Sequence, residues 1–168
     1  VPVIGDNMRE IIDCSDICPQ MVAIPPGKFL RGSPESEEGR RANEGPQHPV
    51  SINYRLAVGQ FELTRGEFAR FVKASGYSKE LEKGEACHVL DGTKWGKSSQ
   101  HHWMNTGYAQ TDEHPVACVS WNDAQAYIQW LSQATGKQYR LLSEAEREYA
   151  ARAGTSSTRI EAPRTNIG

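Results

Sequence analysis

The sequence has no long apolar run, no excess of charge of one sign and no common catalytic motif. No stretch approaches the ~20 apolar residues that a transmembrane helix needs. The 19 basic and 21 acidic residues are interspersed and give a net charge of −2, which argues against nucleic acid or a membrane surface as a partner. A Ser-His-Asp context, a phosphate-cradling glycine loop and a nucleophile elbow are also missing. The sequence therefore favours none of these classes of protein.

The length and composition indicate one irregular domain. A chain of 168 residues suits a single domain, and 15 glycines with 9 prolines indicate many turns. Residues 1–20 show no periodicity, and no internal repeat is visible. We therefore predict an N-terminal arm (1–20) followed by one α+β domain (21–168).

Only four cysteines are present. Cys14 and Cys18 are close enough for a local disulfide or for half of a metal site, although zinc would need a second pair or histidines at ligand spacing. Cys118 lies in an apolar, strand-like run, where a free thiol usually acts as a small buried hydrophobe. We interpret these three and Cys87 as structural or incidental, and the compartment stays open.

Short apolar runs predict strands in the first third of the chain. Residues 21–24 and 28–32 flank Pro-Pro-Gly, a pattern that predicts a β-hairpin. The charged segment 33–47 should be an exposed loop. Residues 50–54 alternate between apolar and polar, as in a half-buried strand, and residues 56–58 continue the extended chain.

Three helices are predicted from their ends. Thr64, Ser120 and Ser143 can each act as an N-cap with an acid in the following turn. Apolar residues then recur at helical spacing. A glycine that can adopt the left-handed conformation follows each helix: Gly76, Gly136 and Gly154. Trp121 and Trp130 are expected to fill the core.

The segment 78–113 has little periodicity and is a candidate functional surface. Compact domains rarely keep more than ~12–15 structureless residues unless the loop packs on itself or binds something. Trp103 lies in this polar segment, where an exposed aromatic residue is as consistent with a recognition surface as with a packing anchor.

The histidines and glutamates do not indicate a metal or acid–base site. His101 and His102 are adjacent, so their side chains would point apart on a strand, and no acid at helical spacing completes a chelate. We interpret the histidines as surface or hydrogen-bonded residues. Glu144, Glu146 and Glu148 would fan around their helix and serve its cap and dipole.

Several short blocks follow one another along the chain: residues 21–29, 32–39, 44–50, 58–71, 114–124 and 142–154. The most distinctive are His-Pro-Val-Ala-Cys-Val-Ser-Trp-Asn-Asp-Ala at 114–124 and Leu-Ser-Glu-Ala-Glu at 142–146. Together, in this order, the blocks resemble the formylglycine-generating enzyme, or sulfatase-modifying factor, family.

The resemblance implies a fold and a structural metal. Members have a variant of the C-type-lectin-like architecture, with little regular secondary structure and with bound calcium. The family's C-terminal third has no counterpart here, so the fold would be C-terminally incomplete. Asn166 and Ile167 are similar to the first two calcium ligands, one through its side-chain oxygen and one through its carbonyl. Two ligands fall short of the 6–8 that Ca²⁺ takes.

The resemblance also implies an activity. The type enzymes oxidise the cysteine of a Cys-x-Pro-x-Arg stretch in an unfolded sulfatase to formylglycine, using O₂ and copper(I) held by two cysteines. Soft thiolates do select copper(I). None of the four cysteines here matches that pair, so we assign no catalytic residue. Trp103 matches a family tryptophan that lines the substrate groove, and Arg147 replaces a family tryptophan.

Two functions follow from the resemblance. In the first, the full-length protein oxidises a peptidyl cysteine or performs a related O₂-dependent reaction, on an unfolded sulfatase-like peptide or another protein. In the second, the domain is a non-catalytic, lectin-like binding module that presents the Trp103 loop to a peptide or protein partner.

Overall fold

The computed structural model describes residues 10–11, 17–77, 87–91, 94–98 and 100–152. Short strands and helices alternate along them. In chain order they are β1 (Glu10–Ile11), β2 (Met21–Ile24), β3 (Gly27–Arg31), a 3-10 helix (Ala42–Glu44), β4 (His48–Ile52), β5 (Leu56–Gly59), α1 (Arg65–Ser75), β6 (His88–Asp91), β7 (Lys94–Lys97), α2 (Trp121–Thr135) and α3 (Glu144–Arg152). The mixture of short sheets and separate helices confirms the predicted α+β class.

The chain divides into two compact units. The first contains Val1–Ile11, Val22–Val58 and Leu142–Gly168, and the second contains Ile12–Met21 and Gly59–Leu141. The division into an arm (1–20) and a domain (21–168) stays a prediction. Over the residues that the structure describes, no helix has the length and apolar character needed to cross a bilayer.

The strands of the first unit show that the predicted hairpin around Pro25-Pro26-Gly27 is wrong. β2 lies between β1 and β5 in one sheet, whereas β3 pairs with β4 in another. The β3–β4 pair is antiparallel, with Phe29 opposite Val50. Pro25 and Pro26, which have no backbone N–H to donate, separate β2 from β3. Residues 25–26 form no turn, and Gly27 is the first residue of β3, which pairs with a strand about 20 residues further along the chain.

Helix α3 packs against β3 in the first unit. The rings of Phe29 and Tyr149 have centroids 5.4 Å apart, and the Tyr149 hydroxyl donates a 3.1 Å hydrogen bond to the Pro25 carbonyl. A Cβ at position 27 would meet the Tyr149 hydroxyl, so a larger residue there would require the Tyr149 side chain to shift. The contact fixes one face of α3 on the sheet.

The predicted helix ends are confirmed where the structure describes them. Thr64 and Ser120 form capping boxes with Glu67 and Asp123. Ser143 does the same for α3, since its Oγ accepts from the Glu146 N–H at 3.3 Å and its own N–H donates to Glu146 at 2.7 Å. Two of the predicted terminal glycines adopt the left-handed conformation, Gly76 and Gly136, while Gly154 lies outside the described residues.

The core of the second unit is mainly aromatic. Its buried members are Phe68, Phe71, Trp103, Tyr127 and Leu131, and Trp130 packs against them as predicted. Trp121, however, is 68% exposed, so its predicted place in the core is wrong. Burial along α2 follows residues 123, 127 and 131. With 3.6 residues per turn, that stripe lies about 120° around the helix from residue 121.

Candidate functional site

Trp103, the predicted substrate-groove residue, lies in the core of the second unit. Its side chain is 5% exposed, and its ring meets that of Phe68 edge-to-face with centroids 5.3 Å apart. Of the two interpretations left open by the sequence, the packing anchor is the one observed, and the exposed placement is wrong. Burial of a large indole stabilises the fold even when the neighbouring residues in sequence are polar. Its contact with substrate stays a prediction.

Cys87 and Cys118 form a disulfide, with Cα atoms 4.4 Å apart and 31 residues of separation along the chain. The expectation that Cys118 is a free thiol in a strand is therefore wrong. Cys118 instead has a positive φ of 58°, which no strand contains. Cys18 is also disulfide-bonded, so the described residues include no free cysteine.

The segment between the first two helices contains a hairpin that the sequence interpretation missed. β6 and β7 pair antiparallel, with His88 opposite Lys97 and Leu90 opposite Trp95. The available signal was the Asp91-Gly92 dipeptide between two short runs containing apolar residues, which is a strong indicator of a hairpin turn. The disulfide at Cys87 holds the start of this hairpin to the segment that leads into α2.

The histidines of this segment form local hydrogen bonds, in agreement with their interpretation. His101 Nδ1 lies 2.5 Å from the Ser98 hydroxyl. His102 Nδ1 accepts from the Met104 N–H at 3.3 Å, and His114 Nδ1 accepts from the Thr111 N–H at 3.0 Å. Within the described ranges, no group of three or more His, Cys, Asp or Glu side chains could hold a metal ion.

An open cavity of about 1160 Å³ lies beside the hairpin. Its wall includes Leu90, Trp95 and Tyr108, which are 54%, 72% and 61% exposed. Basic side chains, among them Lys97 and His101, complete the wall, and no Asp or Glu occurs among the lining residues that the structure describes. Exposed aromatic side chains and lysines therefore line the same cavity in the second unit.

Glutamates of α3 do more than the predicted capping. Glu146 is 1% exposed and accepts from the Tyr54 hydroxyl at 2.7 Å. Glu148 accepts from the Gly32 N–H at 2.9 Å and forms a 2.6 Å ion pair with Arg152. Burial alone would raise the pKa of Glu148, but the Gly32 N–H and the Arg152 and Arg31 guanidinium groups hold it below its ordinary value of 4.5.

This lowered pKa predicts an acid-sensitive contribution to stability. A carboxyl whose pKa is lower in the folded than in the unfolded chain stabilises the fold above its unfolded pKa, and this stabilisation is lost as the pH falls through the folded pKa. We expect the free energy of unfolding to fall less steeply below about pH 4.5 in Glu148→Gln than in the parent. Urea melts from about pH 7 to pH 3 measure this slope.

Glu144→Gln is the matched control, because Glu144 lies on the same helix and pairs with Arg31 but has a side chain that is 82% exposed. Its curve should follow that of the parent, since exposed ion pairs contribute little. Parallel curves for the parent and Glu148→Gln would show that the Glu148 contacts carry no acid dependence.

The described residues test the copper site that the resemblance implies, but not the calcium site. Asn166 and Ile167 lie outside the described residues, so the calcium site stays a prediction. The copper(I) centre that the resemblance implies uses two thiolates, which are soft ligands that this ion prefers. Cys18, Cys87 and Cys118 are all disulfide-bonded and offer none. The described cysteines therefore do not fit the two-thiolate copper centre of the family.

Comparison with known proteins defines the class of this chain. The sequence-family model for the sulfatase-modifying factor enzyme 1-like domain matches residues 11–163. The chain therefore belongs to the sulfatase-modifying factor family, as its sequence blocks indicated. The structure of PvdO from Pseudomonas aeruginosa superimposes with a TM-score of 0.71 at 37% identity, over 87% of this chain and 51% of PvdO. The fold is the α+β fold of this family.

The names of individual relatives include both an enzyme and an inactive enzyme. The formylglycine-generating enzyme of Thermomonospora curvata is 35% identical over 165 residues, covering 86% of this chain and 52% of the relative. The inactive C-alpha-formylglycine-generating enzyme 2 of Mus musculus is 30% identical, covering 89% of this chain and 54% of the relative. The chain thus spans about half the length of these curated relatives.

Proposed function

We propose that this chain is part of a formylglycine-generating-enzyme domain, and that the full-length protein oxidises a peptidyl cysteine of Cys-x-Pro-x-Arg type to formylglycine or performs a related O₂-dependent reaction. The observation that supports the proposal is the family match over residues 11–163. Identity of 35% to a formylglycine-generating enzyme agrees with it.

The residues described here contribute the scaffold and not the redox centre. Copper(I) would supply O₂ activation beside the substrate thiol when bound. Cys18, Cys87 and Cys118 are disulfide-bonded, so none of the cysteines that the structure describes offers a thiolate to hold it. What this chain supplies is an aromatic core around Trp103 and a disulfide-anchored hairpin beside an open cavity.

The 168-residue chain alone should therefore not generate formylglycine. The test incubates the chain and the full-length protein separately with a Cys-x-Pro-x-Arg peptide, copper and O₂, and mass spectrometry follows the mass loss from thiol to aldehyde. We expect conversion by the full-length protein only. A peptide with Ser in place of Cys, and an incubation without O₂, are the controls. Conversion by the 168-residue chain would contradict this assignment of roles.

The alternative is a non-catalytic, lectin-like binding module that presents the Trp103 loop to a peptide or protein. One observation favours it: a relative of similar identity is named an inactive enzyme. A full-length protein that binds the Cys-x-Pro-x-Arg peptide without converting it would support this alternative over the oxidase. Calcium would serve either function as a structural ion at Asn166 and Ile167.

A further inference from the structure

One face of the hairpin carries four exposed side chains, those of His88, Leu90, Trp95 and Lys97. His88 lies opposite Lys97, and Leu90 lies opposite Trp95. Since residues two apart on a strand share a face, the two cross-strand pairs lie side by side. We call this face the hairpin surface.

The apolar pair of the hairpin surface is available for binding. Leu90 and Trp95 are 54% and 72% exposed and lie outside the core cluster. Tyr108, which is 61% exposed, lines the same cavity of about 1160 Å³. Grouped exposed apolar side chains beside a cavity mark interaction sites, whereas single exposed apolar residues do not. An apolar or aromatic side chain of a partner is the group that fits here.

The positive charge of this surface favours a negatively charged partner. Lys97 and His88 flank the apolar pair, Lys94 and His101 line the cavity, and the described lining residues include no carboxylate. Asp91 lies opposite Lys94 in the strand register, whereas Lys97 lies opposite His88 on the hairpin surface. The whole chain carries a net charge of −2, so the positive charge is local and does not suit a long polyanion. A short acidic segment is complementary to it.

The backbone favours an extended partner. β6 and β7 form a two-stranded sheet, so each strand has one edge without a neighbouring strand in the described part of the chain. An extended peptide can add to such an edge by main-chain hydrogen bonds, while alternate side chains meet one face. We propose that the hairpin surface binds an extended acidic peptide segment of a partner protein, with an apolar side chain on Leu90 and Trp95 and carboxylates facing Lys97.

This inference does not rest on the oxidase proposal. The Cys-x-Pro-x-Arg stretch carries an arginine, which a basic surface would disfavour, so the acidic segment is a different ligand or a different part of the substrate protein. It also differs from the interpretation of Trp103 as a substrate-groove residue, because Trp103 is buried and Trp95 is exposed. Loss of peptide binding and loss of cysteine oxidation are therefore separable results.

The test uses three fluorescein-labelled peptides of equal length in which Thr occupies every second position, and Phe alternates with Glu, with Gln or with Lys at the remaining positions, so that both kinds of side chain share one face of the extended peptide. Fluorescence anisotropy at low ionic strength measures their affinity for the disulfide-intact protein. We expect the Glu peptide to bind about tenfold more tightly than the Gln peptide, and the Lys peptide to bind most weakly. Added salt should reduce the difference.

Variants assign the binding to the hairpin surface. Trp95→Ala should weaken binding of the Glu peptide about tenfold or more, and Lys97→Gln should remove part of the preference for Glu over Gln. Trp121→Ala and Lys73→Gln are matched controls, because both residues are exposed elsewhere in the same unit, and neither should change the affinity. Unchanged urea melts would show that the Trp95 variant is folded.

The proposal is overturned by any of several outcomes. Equal binding of the Glu and Gln peptides would show that the surface does not discriminate between charged and neutral peptides. Parental affinity in Trp95→Ala would place binding elsewhere, and no binding at millimolar peptide would remove the site. A dimer in sedimentation velocity that Trp95→Ala dissociates would show that a second copy of the chain occupies the surface instead.

Discussion

Trp103→Ala should lower the free energy of unfolding by about 3–5 kcal/mol, the usual cost of removing a large aromatic side chain from a packed core. Trp103 is 5% exposed, and its ring packs edge-to-face on Phe68 at 5.3 Å. Removing the indole leaves a cavity lined by aromatic rings that cannot easily collapse. Urea denaturation followed by circular dichroism measures the loss.

Trp95→Ala is the control for Trp103→Ala. Both tryptophans lie in the segment between α1 and α2, but Trp95 is 72% exposed, so its substitution should change stability by no more than about 0.5 kcal/mol. The contrast separates an anchor from a surface residue in one loop. A Trp103→Ala protein as stable as the parent, with impaired peptide binding, would restore the groove interpretation suggested by the family resemblance.

The second large effect is expected from the Cys87–Cys118 disulfide. The double variant Cys87→Ser/Cys118→Ser should lose about 3–4 kcal/mol of stability, because a cross-link across 31 residues restricts the unfolded chain. The single variant Cys87→Ser should lose at least as much, since it also breaks the cross-link and leaves a free thiol. Denaturant melts without reductant measure both.

Reduction of the parent provides the comparison. Dithiothreitol should destabilise the parent but should affect the double variant much less, because only the disulfide of Cys18 then remains to be reduced. Expression in a reducing compartment should likewise yield the less stable form. Equal melts for the parent and the double variant under oxidising conditions would show that this disulfide does not restrain the fold.

Local features of the fold were predictable from the sequence, and pairings between distant segments were not. Thr64, Ser120 and Ser143 each satisfy N–H groups within their own first turn, so the helix starts depend on neighbours in sequence. The partner of β3 is β4, and no local signal distinguishes that pairing from a β2–β3 hairpin.

The candidate site was harder to predict for the same reason. Four cysteines allow three pairings, and spacing alone does not choose among them. The burial of Trp103 depends on Phe68 and Tyr127, which lie on other elements. The β6–β7 hairpin, by contrast, has a local signal in the sequence, because Asp91-Gly92 is typical of a hairpin turn. Interpreting the segment as aperiodic missed this signal.

Peptide mapping of the unreduced protein by mass spectrometry tests the central claim most directly, namely that the described cysteines are structural and hold no copper(I). The protein is alkylated under denaturing conditions, digested without reductant and searched for linked peptides. The account predicts a linked pair containing Cys87 and Cys118, with neither residue alkylated. Recovery of both as alkylated free thiols would contradict it and would return these cysteines to consideration as metal ligands.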